Sequence, residues 1–200
     1  GIRDVERSRG LGDVYKRQMH NNLFITNLVV PMNEEEDEIW TDLYGGKRVT
    51  KDSLRVELCG DIDEANSALG IARATAKNET VSKIIHNIQK ELFIVGAECA
   101  TPLEDLHKLP RRITEAHISS LKRLYEEIKS SVAPVKGFVT PGDSFSSANL
   151  HLARTIIRRA ERVAVKLRRE GQLSREIVAY LDILSDLIFY LAIFEETEKK

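Results

Sequence analysis

The sequence predicts an all-α protein: a five-helix bundle of ferritin-like topology, preceded by an irregular N-terminal segment. Three observations predict it. From about residue 53 onward apolar residues recur at helical spacing. Breaks fall at Thr101-Pro102, in a Gly/Pro loop at 130–144 and at Gly171. The last periodic segment is apolar almost all round, the pattern of a helix buried on every side. At 200 residues, with 42% hydrophobic and 30% charged content, the chain suits one domain with a real core.

Residues 1–40 read as an extension, partly artefactual, and residues 41–200 as the helical domain. Residues 1–18 mix charges without periodicity, as a cloning scar or sequence artefact would, and Met19 and Met32 are each a candidate start. Strand is expected only within the first fifty residues, with the alternating run at 23–30 as its candidate. The first helix is expected at 53–76, with Ile62, Ala65, Leu69, Ala72 and Ala76 on one stripe and a bend at Gly60. The second, 80–100, keeps Val81, Ile84, Ile85, Ile88, Leu92, Val95 and Cys99 near heptad order, and Pro102 stops it. A loop at 103–112 follows. Thr114 is placed to cap a third helix through residue 129, with Ile118, Leu121, Leu124, Tyr125 and Ile128 inward. The fourth helix spans 145–170 and ends at Gly171. Ser174 caps the fifth, 174–198, which belongs at the bundle centre or in a subunit interface, so oligomerisation is expected.

The formal net charge of -1 argues against a general nucleic-acid binder, and 6% aromatic content offers no evident base-stacking platform. Cys59 and Cys99 read as buried free thiols in a reducing compartment. The five histidines show no ligand spacing. No segment reads as a membrane span: the run from Ile177 to Phe194 is cut by Asp182, Ser185 and Asp186.

Four constellations stand out. Arg154, Arg158 and Arg162 are four residues apart and stack on one face of the fourth helix, which His151 extends by a turn. The opposite face is apolar through Ala153, Ile156, Ile157, Ala160, Val163, Ala164 and Leu167. Such a ladder is ordinarily a solvated face, with Glu161 as its intrahelical partner. Arginine rather than lysine, directly after a Gly/Pro loop, favours an anion site instead. Asp61, Asp63 and Glu64 read either as dipole compensation or as the group that orients a fourth-helix arginine. Phe138 reads first as a core anchor. Gly45-Gly46-Lys47-Arg48, with Lys51 following, resembles a phosphate-binding turn but lacks the P-loop spacing.

Taken together, these segments resemble the trimeric five-helix class of ATP:cob(I)alamin (corrinoid) adenosyltransferases. The likeness runs over about residues 42–194. It is carried by Leu43-Tyr44-Gly45-Gly46-Lys47-Arg48-Val49 with Lys51, by Gly60-Asp61-Ile62-Asp63-Glu64-Ala65-Asn66, and by Phe138 with Pro141-Gly142. It continues through His151-Leu152-Ala153-Arg154, Arg158-Arg159-Ala160-Glu161-Arg162 and Leu184-Ser185-Asp186. The resemblance implies transfer of the 5′-deoxyadenosyl group of ATP to the cobalt of cob(I)alamin, with triphosphate released. It implies that Gly45, Gly46, Lys47, Lys51, Arg158, Glu161, Arg162 and Asp182 bind ATP. Phe138 would lie below the corrin, Arg154 would pair with Asp63 on the cobalamin side, and Glu161 would orient an arginine or help hold Mg²⁺. It further implies a homotrimer with sites between subunits, a cob(II)alamin reductase or a cobalamin-dependent enzyme as partner, and a cytoplasmic location (mitochondrial matrix in a eukaryote).

Three departures qualify the likeness. The Thr-x-Thr-Gly-Asp-x-Gly-x-Thr segment that wraps triphosphate in the family is missing, and an acidic run, Glu34 to Glu38, stands in its place. Asp182 stands where Asn is usual, and Asp143 where a second Gly is common. Two readings therefore stand side by side: a working adenosyltransferase, and an impaired homologue that keeps the fold and cobalamin contacts.

Overall fold

A computed structural model describes residues 38–197, so the expected strand at 23–30 and the 1–18 segment lie outside the described residues. The chain opens with a short antiparallel hairpin. β1 (Trp40–Asp42) pairs with β2 (Arg48–Thr50) in the register Trp40↔Thr50, Thr41↔Val49, Asp42↔Arg48. Five helices follow: α1 (Leu54–Thr75), α2 (Glu79–Cys99), α3 (Glu115–Ser130), α4 (Phe145–Arg169) and α5 (Arg175–Thr197). A 3₁₀ turn, Leu103–Lys108, occupies much of the expected loop between α2 and α3.

Local chemistry sets the boundaries. Asn78 accepts from the Thr80 and Val81 amides at 2.8 and 3.2 Å, which starts α2 one residue earlier than the periodicity suggested. Thr114 opens α3, where His117 Nδ1 accepts from its amide at 3.2 Å. Ser144 caps α4 by accepting from Ser147 N at 3.1 Å. At the far end Gly171 adopts φ +71°, and Gln172 N donates back to the Leu167 carbonyl at 2.8 Å. α1 runs unbroken through Gly60.

α1 packs along α4, α4 on α5, α5 on α3, and α2 on α1. The core joins all five helices, with Leu58, Leu69, Ile85, Leu150, Ile157, Tyr180 and Leu181 fully buried. Tyr180 satisfies its hydroxyl by donating to Glu91 Oε2 at 2.7 Å. α5 is long and apolar enough to cross a membrane by length and composition, but half of that stretch is buried against the bundle. Its sides rest on α2, α3 and α4, and Asp182 and Asp186 are exposed. α5 thus packs between α3 and α4 and leaves half of its apolar stretch unburied within the chain, so its all-round apolar pattern is only partly used by the bundle itself. Cys59 and Cys99 are free thiols. Burial pushes the Cys59 thiol up to about 11, with the Arg55 charge opposing, and raises Cys99 as well.

Candidate active site

α4 divides as its sequence pattern required. Its apolar face is buried from Ala153 to Leu167, while Arg158 and Arg162 are exposed and Arg154 is half-buried. Among the described residues Arg158 and Arg162 form no ion pair within the chain. Arg162 Nη1 donates to the Arg158 carbonyl at 3.0 Å, a bond along the helix itself. Arg154 lies over the Phe189 ring, 5.8 Å from its centroid. Its Nε is buried without an acceptor.

His151 departs from expectation. It does not extend the exposed face but sits beneath it, 3% exposed, with its ring edge-on to Phe189 at 6.0 Å. Neither ring nitrogen has a hydrogen-bond partner among the described residues. Burial, with the Arg154 charge next, holds its pKa below the ordinary histidine value. α4's turn geometry explains the difference, because α5 closes over the face at this level through Phe189 and Glu196.

The acidic cluster of α1 does orient a fourth-helix arginine, by other members than expected. Arg159 Nε donates to Asp61 Oδ1 at 2.7 Å, and its Nη2 donates to Glu64. Arg154 instead lies over Phe189 of α5. α1 runs antiparallel to α4, and that register sets Asp61 and Glu64 opposite Arg159.

Phe138 is not core. It is fully exposed in the 131–144 loop, which reverses through Gly137 at φ +85° and Gly142 at φ +130° before α4 begins. The Gly-Gly turn also departs from its first reading. Gly45 (φ +95°) and Gly46 (φ +85°) serve the chain reversal between β1 and β2. A Cβ at Gly45 would stand 2.7 Å from Asp105 Oδ2, so the nearest polar neighbour there is itself an anion. The Gly46 amide donates to the Leu43 carbonyl at 3.1 Å, and Lys47 Nζ lies 3.7 Å from Glu104. The glycines serve the turn, with the Asp105 carboxylate behind Gly45. Lys51 is exposed just beyond β2.

A cleft of about 460 Å³ lies between this hairpin and the C-terminal end of α4, lined by Lys47, Ser53, Arg55, Glu104 and Glu170 among others. Arg55 is a residue that sequence reasoning missed. It is buried, and its guanidinium donates to the carbonyls of Cys99 (2.7 Å), Thr101 (3.1 Å) and Gln172 (2.5 Å). A lone arginine inside Leu54-Arg55-Val56-Glu57-Leu58 was the available signal.

Glu161 faces Asp182 and Asp186 of α5. Burial and Asp182 raise its pKa against the opposing pull of Arg158. Among the described residues no group of three His, Cys, Asp or Glu side chains could hold a metal ion.

The described bundle carries exposed guanidiniums on the outside of one helix, suited to an anionic ligand, and an exposed aromatic in the loop that leads into it. The chain belongs to the cobalamin adenosyltransferase family, whose pattern matches residues 32–195. A corrinoid adenosyltransferase of Citrobacter freundii is 40% identical over 157 residues, covering 78% of this chain and 89% of that one. The corrinoid adenosyltransferase PduO of Salmonella typhimurium is 35% identical over 158 residues, covering 79% of this chain and 47% of that one, so the chain spans about half its length. Among solved structures, an alanine-for-phenylalanine variant of a PduO-type ATP:corrinoid adenosyltransferase from Lactobacillus reuteri, complexed with cobalamin and ATP, superposes with TM-score 0.76. It is 29% identical and covers 84% of this chain and 94% of that chain.

Proposed function

We propose that this chain transfers the 5′-deoxyadenosyl group of ATP to the cobalt of cob(I)alamin and releases triphosphate. The observation that carries this reading is the unpaired Arg158–Arg162 row on α4, set behind a loop that presents a fully exposed Phe138. A guanidinium with no partner in its own chain is ready to stabilise charge that grows on a departing triphosphate. Phe138 is free to occupy the space below a corrin ring. Mg²⁺ would arrive with the nucleotide, meeting Glu161 as a single contact.

We also infer that the working unit is a homotrimer with sites between subunits. Phe138 precedes α4, whereas the Lys47 hairpin borders the cleft at its other end. A 25-residue helix is about 37 Å long, so one chain alone brings the two groups to opposite ends. The buried, acceptor-less Nε of Arg154 fits the same arrangement, with Asp63 of a neighbouring copy as its acceptor.

A second reading is an impaired homologue that retains the fold and the corrin contacts. It is favoured by β1, which places Trp40–Asp42 in a strand directly ahead of the Leu43-Tyr44-Gly45-Gly46 turn, where the triphosphate-wrapping segment would lead in. One experiment separates them: ATP, Mg²⁺ and chemically reduced cobalamin are incubated with the protein and adenosylcobalamin is followed by absorbance. Product at catalytic turnover supports the first reading. Cobalamin binding without product, restored by inserting a Thr-x-Thr-Gly-Asp-x-Gly-x-Thr segment, supports the second. Absence of both corrinoid and nucleotide binding rejects both.

A further inference from the structure

α4 and α5 are joined by a short turn at 170–174 and run antiparallel. Contacts near the start of α4 fix their register. Ser147 Oγ donates to Glu196, and both His151 and Arg154 lie against Phe189. Both helices rise equally per residue. One turn further along α4, Arg158 is therefore level with Asp186, and one turn beyond that Arg162 is level with Asp182. The ladder changes its neighbour along its length: an aromatic ring at Arg154, then a carboxylate level at each of the next two rungs. Glu161 stands on α4 between those rungs, and Lys129 of α3 approaches Asp186 from the other side.

These charges face one another without closing. Among the described residues none of Glu161, Asp182 and Asp186 makes an ion pair with Arg154, Arg158 or Arg162, although Arg159 pairs readily with α1. A carboxylate locked in an ion pair is held down, but here the sign is opposite. Burial and Asp182 raise Asp186, against Arg158, Lys129 and Arg154, and Glu161 behaves likewise. The two α5 carboxylates thus act through the field rather than through contact. Four cations (Arg154, Arg158, Arg162, Lys129) face three carboxylates, leaving a local excess of about one positive charge.

We propose that Asp182 and Asp186 are built-in counter-charges that limit how tightly the arginine ladder holds a polyphosphate, so that the product triphosphate leaves. This rests on the reading above that the ladder takes the triphosphate of ATP. In that reaction the cobalt(I) lone pair forms the Co–C5′ bond, and the C5′–O bond breaks with its electron pair staying on the phosphate oxygen. The product therefore carries one more negative charge than the ester it came from. The α5 carboxylates repel product more than substrate, while the directional N–H···O bonds of the guanidiniums still seat the substrate.

The test is calorimetric binding of inorganic triphosphate, without nucleotide, to wild type, Asp182→Asn, Asp186→Asn, the double variant and Arg158→Ala. Each single neutralisation is expected to tighten binding about threefold and the double about tenfold. Product inhibition by added triphosphate should strengthen in step. Unchanged or weaker binding in the Asn variants, as a positioning or purely structural role requires, overturns the proposal; the single variants keep the sign readable if the double does not fold. Arg158→Ala should weaken triphosphate binding at least tenfold. If it does not, the reading of the ladder fails, which is a different result from failure of the counter-charges alone.

Discussion

Two arginines, one at each end of α4, show what a finished site and an open one look like. Arg55 of α1 is buried beside the C-terminal end of α4, and three carbonyls from two segments accept from it. Arg154, near the N-terminal end, is half-buried over Phe189, and its Nε has no acceptor among the described residues. His151 beside it also has both ring nitrogens unpartnered. An isolated buried donor costs about 1–3 kcal/mol, so the first arrangement is satisfied within the chain while the second carries an unmet donor. At the hairpin end the buried guanidinium is saturated by backbone; at the other end polar atoms of Arg154 and His151 stay unsatisfied among the described residues.

The contrast can be broken most forcefully at Arg55. Arg55→Met orphans three carbonyls and should lower unfolding free energy by about 4 kcal/mol, measured by urea denaturation. A loss under about 1 kcal/mol would show that the clip is dispensable. At the other end the order of effects reverses. Arg158→Ala should reduce turnover about 100-fold, roughly 2.7 kcal/mol of transition-state stabilisation, while the melting temperature stays within about 2 °C. Parallel losses in both would make the ladder structural.

A smaller effect sharpens the status of His151. Its pKa is depressed by burial and then by Arg154. The unfolded chain therefore takes up the proton first. The contribution of neutral His151 to stability is complete above about pH 6.5 and is lost as pH falls from there through the folded-state value. His151→Leu should flatten this part of the stability–pH curve; an unchanged slope would assign it to other groups. The smallest effect belongs to Phe138. Because its side chain is fully exposed, Phe138→Ala should shift stability by no more than about 0.5 kcal/mol, yet it should slow adenosylation of cob(II)alamin supplied with a reductant. A large loss of stability would return Phe138 to the core.

The helices were legible because their signals are local. Periodicity, Thr114 and Gly171 each act within a turn or two, and α1 at Leu54–Thr75 lies within one residue of its expected ends at both sides, whereas Ser174, read as the α5 cap, forms no cap bond among the described residues. The hairpin was not legible. Strands of three residues carry too little alternation, and Gly45-Gly46 fits a chain reversal and an anion turn equally well until Asp105 is seen behind it. The ladder's exposed face followed from four-residue spacing alone. Which carboxylate meets which arginine did not, because that depends on how α1 and α5 register against α4. The family resemblance implied Asp63 with Arg154; within the chain, packing delivers Asp61 and Glu64 to Arg159. Arg55 was illegible for the related reason that an arginine's burial depends on distant carbonyls, one of them 117 residues away.

The Tyr180–Glu91 bond and the Ser147–Glu196 bond tie α5 to its neighbours, and a third tie has a further consequence. Glu195 is 4% exposed and accepts from the backbone amides of Lys77, at 2.7 Å, and Asn78, at 3.3 Å, in the turn between α1 and α2. That turn is made early in translation, and the carboxylate that completes it is made 118 residues later. While the polypeptide is still emerging from the ribosome, the first helical pair waits with two bare amides. A chain that stops short of Glu195 leaves both amides without this acceptor, so the corner between the first two helices closes only when the last helix docks.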